Sequence, residues 1–394
     1  MSTFLKAITG QRSLLAIPLW VWLLALPLSG IEHSFSTAAL KAARIAGGVA
    51  AIIVCWHLLK TGRATASFRV IWDRLYGLRS SLHAVFKPVM SDARRPTVLA
   101  AIVLALIVLP LFLNNYYRDV LTLTALYVVL ALGLNIVVGQ AGLLHLGYVA
   151  FYAVGAYAYG ILSTTFGISF WPGLVVGALS ASLFAVLIGL PTLRLRGDYF
   201  AIVTLGLGEI TRIVLNNWDS LTGGPNGIPN IGRPGIFGYT LASPLDFYYL
   251  SLILVVVTVF AMHRLIASRV GRAWIAIRED EIAAEAMGID IFRMKLTAFI
   301  IASAVAGMAG AFFAAKMAFI SPESFTFFES VLILCMVVLG GMGSIPGIIL
   351  GAFLLITLPE IFREFQDYRM LAFGAALVVM MIFRPQGLLG VVRK

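Results

Sequence analysis

Glu209 and Arg212 stand three residues apart inside one long apolar run, and Glu329 opens another. An ionisable side chain in a membrane-embedded helix is costly and tends to be kept for a task. The pair therefore reads either as a proton-relay site or as a mutually neutralised structural pair near the end of a span. His145 lies among apolar residues, where an imidazole either lines a polar path or packs as a satisfied core residue. Cys55 and Cys335 both sit in apolar runs, form no CxxC pair and read as small buried residues. The chain has no G-x-x-x-x-G-K-[ST] phosphate loop, no HExxH motif and no GxSxG elbow. These residues supply no catalytic, cofactor-binding or metal-ligating constellation.

The elements that position these residues must be helices in lipid. Of 394 residues, 60% are hydrophobic and 12% charged, with mean hydropathy +0.97. Soluble domains are about 45–50% apolar and about 25% charged, so a disordered chain, a collagen-like chain and a conventional cytosolic enzyme are excluded. A span takes about 20 apolar residues, and such runs lie near 14–30, 45–59, 97–113, 119–138, 143–163, 171–192, 199–215, 248–263, 295–318, 329–340, 346–360 and 370–383. The fold class is an all-α polytopic membrane protein of about 10–12 transmembrane helices. The last short pair flanks Gly340-Gly341-Met342-Gly343 and reads either as two crossings or as a broken, re-entrant hairpin.

With the N-terminus placed in the cytoplasm and the sides alternated, 21 of the 29 Lys and Arg residues fall inside. They are two before Leu14, eight in 60–96, two in 193–198, six in 264–295 and three after Phe383. That bias orients the chain with both termini cytoplasmic, and it explains the net charge of +11 without nucleic acid. The first run resembles a signal peptide, but a second apolar run and a basic loop follow closely, so it is read as an uncleaved helix. Residues 1–59 form a two-helix extension. Residues 60–96 form a basic linker that either lies on the anionic leaflet or is simply solvated. Residues 97–394 form the main membrane domain.

Between two spans, residues 271–288 place good helix formers between Gly271 and Gly288, which can punctuate the two ends of a short helix. Ile275, Ile282, Ala286 and Ile289 fall on one predicted apolar face. Arg278, Glu279, Asp280, Glu281 and Glu285 supply mixed charge elsewhere. Six basic against five acidic residues over 264–295 favours docking to a specific partner over attraction to lipid, with a cap on the bundle as the plainer reading.

Here Gly271-Arg272, Ala276, Arg278-Glu279-Asp280 and Gly288 resemble the coupling-helix loop of ABC importer permeases. Four further blocks resemble the M-type permeases of branched-chain amino acid importers, the LivM family. They are Leu132-Gly133-Leu134-Asn135 through Gly139 to Tyr148; Leu193-Arg194-Leu195-Arg196-Gly197-Asp198-Tyr199 with Thr204 and Glu209; Thr222-Gly223-Gly224-Pro225-Asn226-Gly227; and Ser321-Pro322-Glu323 with Gly340-Gly341-Met342-Gly343. Arg384-Pro385-Gln386-Gly387 closes the series, which covers about 119–390 in order. Importers of urea and short-chain amides share several of these blocks and form the alternative substrate class; an ion-coupled secondary transporter is a further alternative.

The resemblance implies an ABC importer permease fold. It implies a homologous second permease (LivH-like), two cytoplasmic ATPases holding ATP and Mg, and a periplasmic substrate-binding protein. ATPase coupling would fall to Gly271, Arg272, Ala276, Arg278, Glu279, Asp280, Glu281 and Gly288. Thr222, Gly223, Gly224, Pro225 and Asn226 would meet the binding protein or form a gate, or else make a plain turn. Interruptions at Gly139-Gln140-Ala141-Gly142 and Gly340–Gly343, placed near the two ends of the domain, are the pointer expected of an inverted repeat. Glycines for tight packing or turns are the other reading. Asn135, Gln140, His145, Tyr148, Thr204 and Glu209 are the candidate pathway residues.

Overall fold

The computed structural model describes Leu104, residues 106–195, 197–236 and 239–361, Gly374 and residues 387–389. The extension 1–59, the linker 60–96, the start of the run 97–113, nearly all of 370–383 and Arg384-Pro385-Gln386 lie outside these residues.

Long apolar runs become helices because a helix satisfies every backbone N–H and C=O within the segment, which lipid demands. In chain order these are α1 (Asn115–Asn135), α2 (Val149–Phe166), α3 (Phe170–Thr192), α4 (Asp198–Asn217) and α5 (Pro244–Ala267). Two short helices follow, α6 (Arg269–Glu279) and α7 (Glu281–Ala286). Then come α8 (Ile291–Met317), α9 (Phe327–Gly340) and α10 (Ile345–Ile361). Among the described residues, six helices are long and apolar enough to cross a membrane: α1 with its extension to Gln140, α2, α3, α5, α8, and α9 with the turn before it from Pro322. The shorter α10 is apolar as well.

Two expected spans are corrected. The run 143–163 begins its helix only at Val149, because residues 141–148 leave α1 in an irregular segment. The run 199–215 is helical as α4, but α4 is not among the six: Asp198, Glu209 and Arg212 dilute its apolar face.

Helix α8 runs through the centre, against α1, α2 and α3. Lipid gives no hydrophobic drive between helices, so close van der Waals approach of small residues takes over. A methyl group on Gly155 of α2 would lie 2.3 Å from Gly307 Cα of α8, and one on Gly310 would lie 2.2 Å from the Tyr152 carbonyl. Ala298, Ala302, Ala306 and Ala309 fill the remaining turns of α8, all buried. On the outer side, α3 exposes Val175, Leu179, Leu183 and Leu187, a fourth-residue stripe suited to acyl chains.

The loops sort to two ends. At one end the strand β1 (Ile228–Pro229) pairs antiparallel with β4 (Phe319–Ile320), and β2 (Gly235–Ile236) with β3 (Tyr239–Thr240). Tyr159 and Trp171 donate to the carbonyls of Gly232 and Gly235 at that end, and Lys316 pairs with Asp119. At the other end lie residues 136–142, 193–195, α6, α7 and the 341–344 turn. This grouping is the one the alternation of sides requires.

Candidate functional site

The segment expected as one helix between Gly271 and Gly288 is two helices. Helix α6 starts earlier, at Arg269, capped by Ser268 Oγ accepting from Gly271 N–H at 3.3 Å. Gly271 lies inside the first turn, where a methyl group would lie 2.5 Å from the carbonyls of Leu265 and Ile266. Its role is close approach to the end of α5 rather than punctuation. The break falls at Asp280, which is extended (φ −157°, ψ 111°) and whose carboxylate accepts from the N–H groups of Ile282 and Ala283 at 2.9 and 3.1 Å. That side chain is a helix N-cap. Gly288 does follow the end of α7, at φ +83°.

The break rotates the faces. The buried positions are Gly271, Trp274, Ile277 and Ala284, whereas Ile275 and Ile289 are half-buried and Ile282 and Ala286 are exposed. Trp274 is fully buried and donates its indole N–H to the Met294 carbonyl at 2.7 Å, fixing α6 against the first turn of α8. Lys295, also buried, pairs with Glu281 and fixes α7 to the same turn. Sequence reasoning missed both anchors; Lys295 had been counted only as a loop charge. Arg272 caps the Ala267 carbonyl at 2.9 Å, Ala276 is half-buried, and Glu279 points outward. The result is a rigidly backed platform whose outer surface shows Ile282 and Met287, about four-fifths exposed, amid Glu279, Asp280 and Glu285. Beside it a groove of about 610 Å³ is lined by Leu193, Arg194, Glu281, Glu285, Phe292 and Lys295.

Inward from the platform the two glycine interruptions meet. Helix α1 loosens into a π-turn, Ile136–Gln140, with Ala141 N–H donating to the Ile136 carbonyl and Leu143 N–H to the Val137 carbonyl. Asn135 Oδ1 accepts from Gly343 N–H at 2.9 Å, and Gln140 Nε2 donates to the Gly343 carbonyl at 3.3 Å. A methyl group on Gly139 would lie 1.8 Å from Asn135 Oδ1 and 2.7 Å from Gly343 N, so only glycine admits this contact. Arg278 of α6 reaches in and donates to the Gly139 carbonyl. Residues 387–389 pack beside the end of α9, Leu388 N–H donating to the Leu339 carbonyl at 2.8 Å.

The candidate pathway residues therefore have assigned partners inside the chain. Asn135 and Gln140 make the junction just described. Tyr148 is fully buried and donates to the Ala302 carbonyl at 2.9 Å. Thr204 is buried, accepts from Leu146 N–H at 3.2 Å and donates to the Ala201 carbonyl. His145 is fully buried, its Nδ1 accepting from Gly147 N–H at 3.0 Å, within a cage of Tyr148, Phe151, Phe200 and Phe299. His145 packs among aromatic rings, but it is not a fully satisfied core residue: its Nε2 is buried without a hydrogen-bond partner. A polar anchor not foreseen is Ser330, whose Oγ accepts from Val149 N–H at the start of α2.

At the opposite end, Glu209 meets Arg212 at 3.0 Å, and Arg212 also faces Glu323 at 3.8 Å. The half-exposed pair is neutralised and ties α4 to the turn before α9. Nearby, Thr222 is buried and donates to the Leu215 carbonyl at 2.6 Å, Gly223 and Gly224 turn the chain, and Pro225 and Asn226 project outward.

Comparison with known proteins follows this architecture. The family model described as branched-chain amino acid transport system / permease component matches residues 116–383. The chain is 46% identical over 326 residues to the high-affinity branched-chain amino acid transport system permease protein LivM of Escherichia coli K12, covering 77% of each chain. It is 29% identical over 293 residues to BraD, a permease protein of the same kind of system in Pseudomonas aeruginosa, covering 68% of this chain and 93% of that one. It is 26% identical over 300 residues to the permease protein LivH of Salmonella typhimurium, covering 71% and 96%. No solved structure matches. With two thirds of its length inside the family match and the helices arranged as above, the chain belongs to the permease-component family of branched-chain amino acid transport systems.

Proposed function

We propose that this chain is the M-type permease subunit of an ATP-driven importer that moves leucine, isoleucine and valine from periplasm to cytoplasm. A LivH-like second permease completes the pathway, two cytoplasmic ATPases hold ATP and Mg and drive it, and a periplasmic binding protein delivers substrate. The similarity to LivM, and separately to LivH, supports the substrate class and the paired permease.

The observation that carries the reading is the platform. Trp274 and Lys295 anchor it to α8, so its exposed Ile282 and Met287 are presented on a stiff base. Apolar side chains framed by carboxylates suit a groove in another protein, and a push on such a base reaches α8 rather than dissipating locally. The Lys and Arg of 193–198 and 264–295 support placing this end in the cytoplasm. Pro225 and Asn226, projecting at the other end, are where a binding protein would touch.

The test is reconstitution in proteoliposomes with the second permease, the ATPases and the binding protein, measuring leucine uptake and ATP hydrolysis. Ile282→Asp with Met287→Asp should lose the ATPases on affinity purification and lose uptake at least about tenfold, the loss expected when an exposed apolar anchor is removed. Full ATPase retention by the double variant would overturn the docking assignment. Uptake of urea in place of leucine would overturn the substrate.

A further inference from the structure

Helix α6 does more than lie on the end of the bundle, because Arg278 leaves it and enters the junction between the two glycine interruptions. Its guanidinium donates to the Gly139 carbonyl. Its stem lies against Gly142, where a methyl group would come within 2.9 Å of Arg278 Cγ. From the other side Gly343 approaches, a methyl group there lying 3.6 Å from both Arg278 Nη1 and Gln140 Nε2. Three segments far apart in sequence thus share one polar knot: the end of α1, the α9–α10 turn and α6.

The chemistry of that knot is lopsided. The π-turn at the end of α1 and the left-handed Gly142 (φ +74°) leave the Gly139 carbonyl outside the helical ladder. Helix C-termini carry partial negative charge, which a guanidinium offsets with a charge-assisted bond. The bond from Gly343 N–H to Asn135 Oδ1 depends on the same register, since Gly139 separates the two groups by less than a methyl's width. With Gly142 and Gly343 both left-handed, the backbone on either side is shaped as a hinge that a single side chain can hold.

We infer that Arg278 is a positioning residue: it pins the paired breaks after α1 and α9 to α6, so that displacement of α6 opens or closes this end of the transporter. This rests on the reading of α6–α7 as the ATPase-docking element, and the test separates the two.

The experiment uses the complete importer in nanodiscs with Arg278→Gln, Arg278→Lys and, as a docking control, Ile282→Asp with Met287→Asp. Amide hydrogen exchange is followed in peptides covering 136–144 and 341–346, with 225–235 as the distant reference. Arg278→Gln should keep the ATPases bound and hydrolysing, speed exchange in the two junction peptides by at least about tenfold, and reduce leucine uptake by at least about tenfold; that is the scale of losing a charged hydrogen bond. The reference peptide should not change. Arg278→Lys, which restores a cationic donor, should recover most of the protection and uptake. The docking control should lose the ATPases while junction exchange stays at the wild-type rate. Unchanged junction exchange in Arg278→Gln would overturn the inference whatever happens to uptake. So would faster exchange with undiminished uptake. Retention of the ATPases by the docking control would instead overturn the docking reading and leave the exchange result for Arg278 to be judged alone.

Discussion

Lys295 Nζ, at the first turn of α8, meets Glu281 Oε1, at the first turn of α7, with the lysine side chain only 6% exposed and the glutamate 40%. This pair ties the start of α7 to the start of α8, the two helices being separated by Met287–Asp290. A buried ammonium is stable only with its counter-charge in place, whereas an apolar replacement of matching length needs none.

Glu281→Gln should therefore destabilise the purified chain more than Lys295→Met. The expected cost of stranding the lysine is about 1–3 kcal/mol, read as a lower thermal midpoint in detergent. A Lys295→Met/Glu281→Gln double variant no worse than Lys295→Met alone would complete the case. Equal losses for the two single variants would sink it.

Gly155→Ala and Gly206→Ala should move stability in opposite directions. At Gly155 the added methyl meets Gly307 backbone from 2.3 Å, and α2 and α8 must separate, at a cost of about 1–3 kcal/mol. At Gly206 in α4 nothing lies within 4 Å, so the substitution gains about 1 kcal/mol of helix propensity. Thermal unfolding of the isolated chain checks both. If Gly206→Ala then lowers uptake by the assembled importer, that face of α4 packs against another chain.

Asp280→Ala should loosen α7 alone. Two N–H groups lose their acceptor, at a cost of about 1 kcal/mol, with Asp280→Asn or Asp280→Ser milder. Amide exchange in 281–287 should speed up while 270–278 is unchanged. In the full importer, hydrolysis should persist with reduced uptake. Protection in 281–287 equal to wild type would show that tertiary contacts, not the cap, hold the helix.

Much of this was legible in one sequence and some was not, for physical reasons. The run 171–192 became α3 to within one residue, and the run 295–318 became α8, which starts four residues earlier, because bilayer thickness sets length and apolarity together. Helix α4 was legible as a helix, but its charges belong to a partly polar face that hydropathy alone counts as lipid-facing. The glycines at 271 and 288 drew attention from Asp280, although an Asp followed by Glu281 is itself a helix-start signal. Once the break was missed, the phase of Ile282 and Ala286 was misplaced with it. The docking loop's position was readable; that its anchors are Trp274 and Lys295 was not, because both act through partners on α8. The two glycine interruptions were visible, yet their contact spans 208 residues, and Glu323 beside Arg212 is also distant in sequence. The Arg212–Glu323 separation is about half as long, at 111 residues, but is still far beyond any local window; pairings at such distances carry no local pattern.

That 208-residue span between Asn135 and Gly343 also sets a timetable. Ribosomes extend a chain at about 5–20 residues per second, so Asn135 waits about 10–40 s after its own synthesis before Gly343 exists. Throughout that interval a carboxamide destined for a buried position has no native partner. Biogenesis of this permease thus passes through a stage in which the end of α1 must be sheltered by water, by lipid headgroups or by the insertion machinery, and the emergence of the 341–344 turn is what releases it.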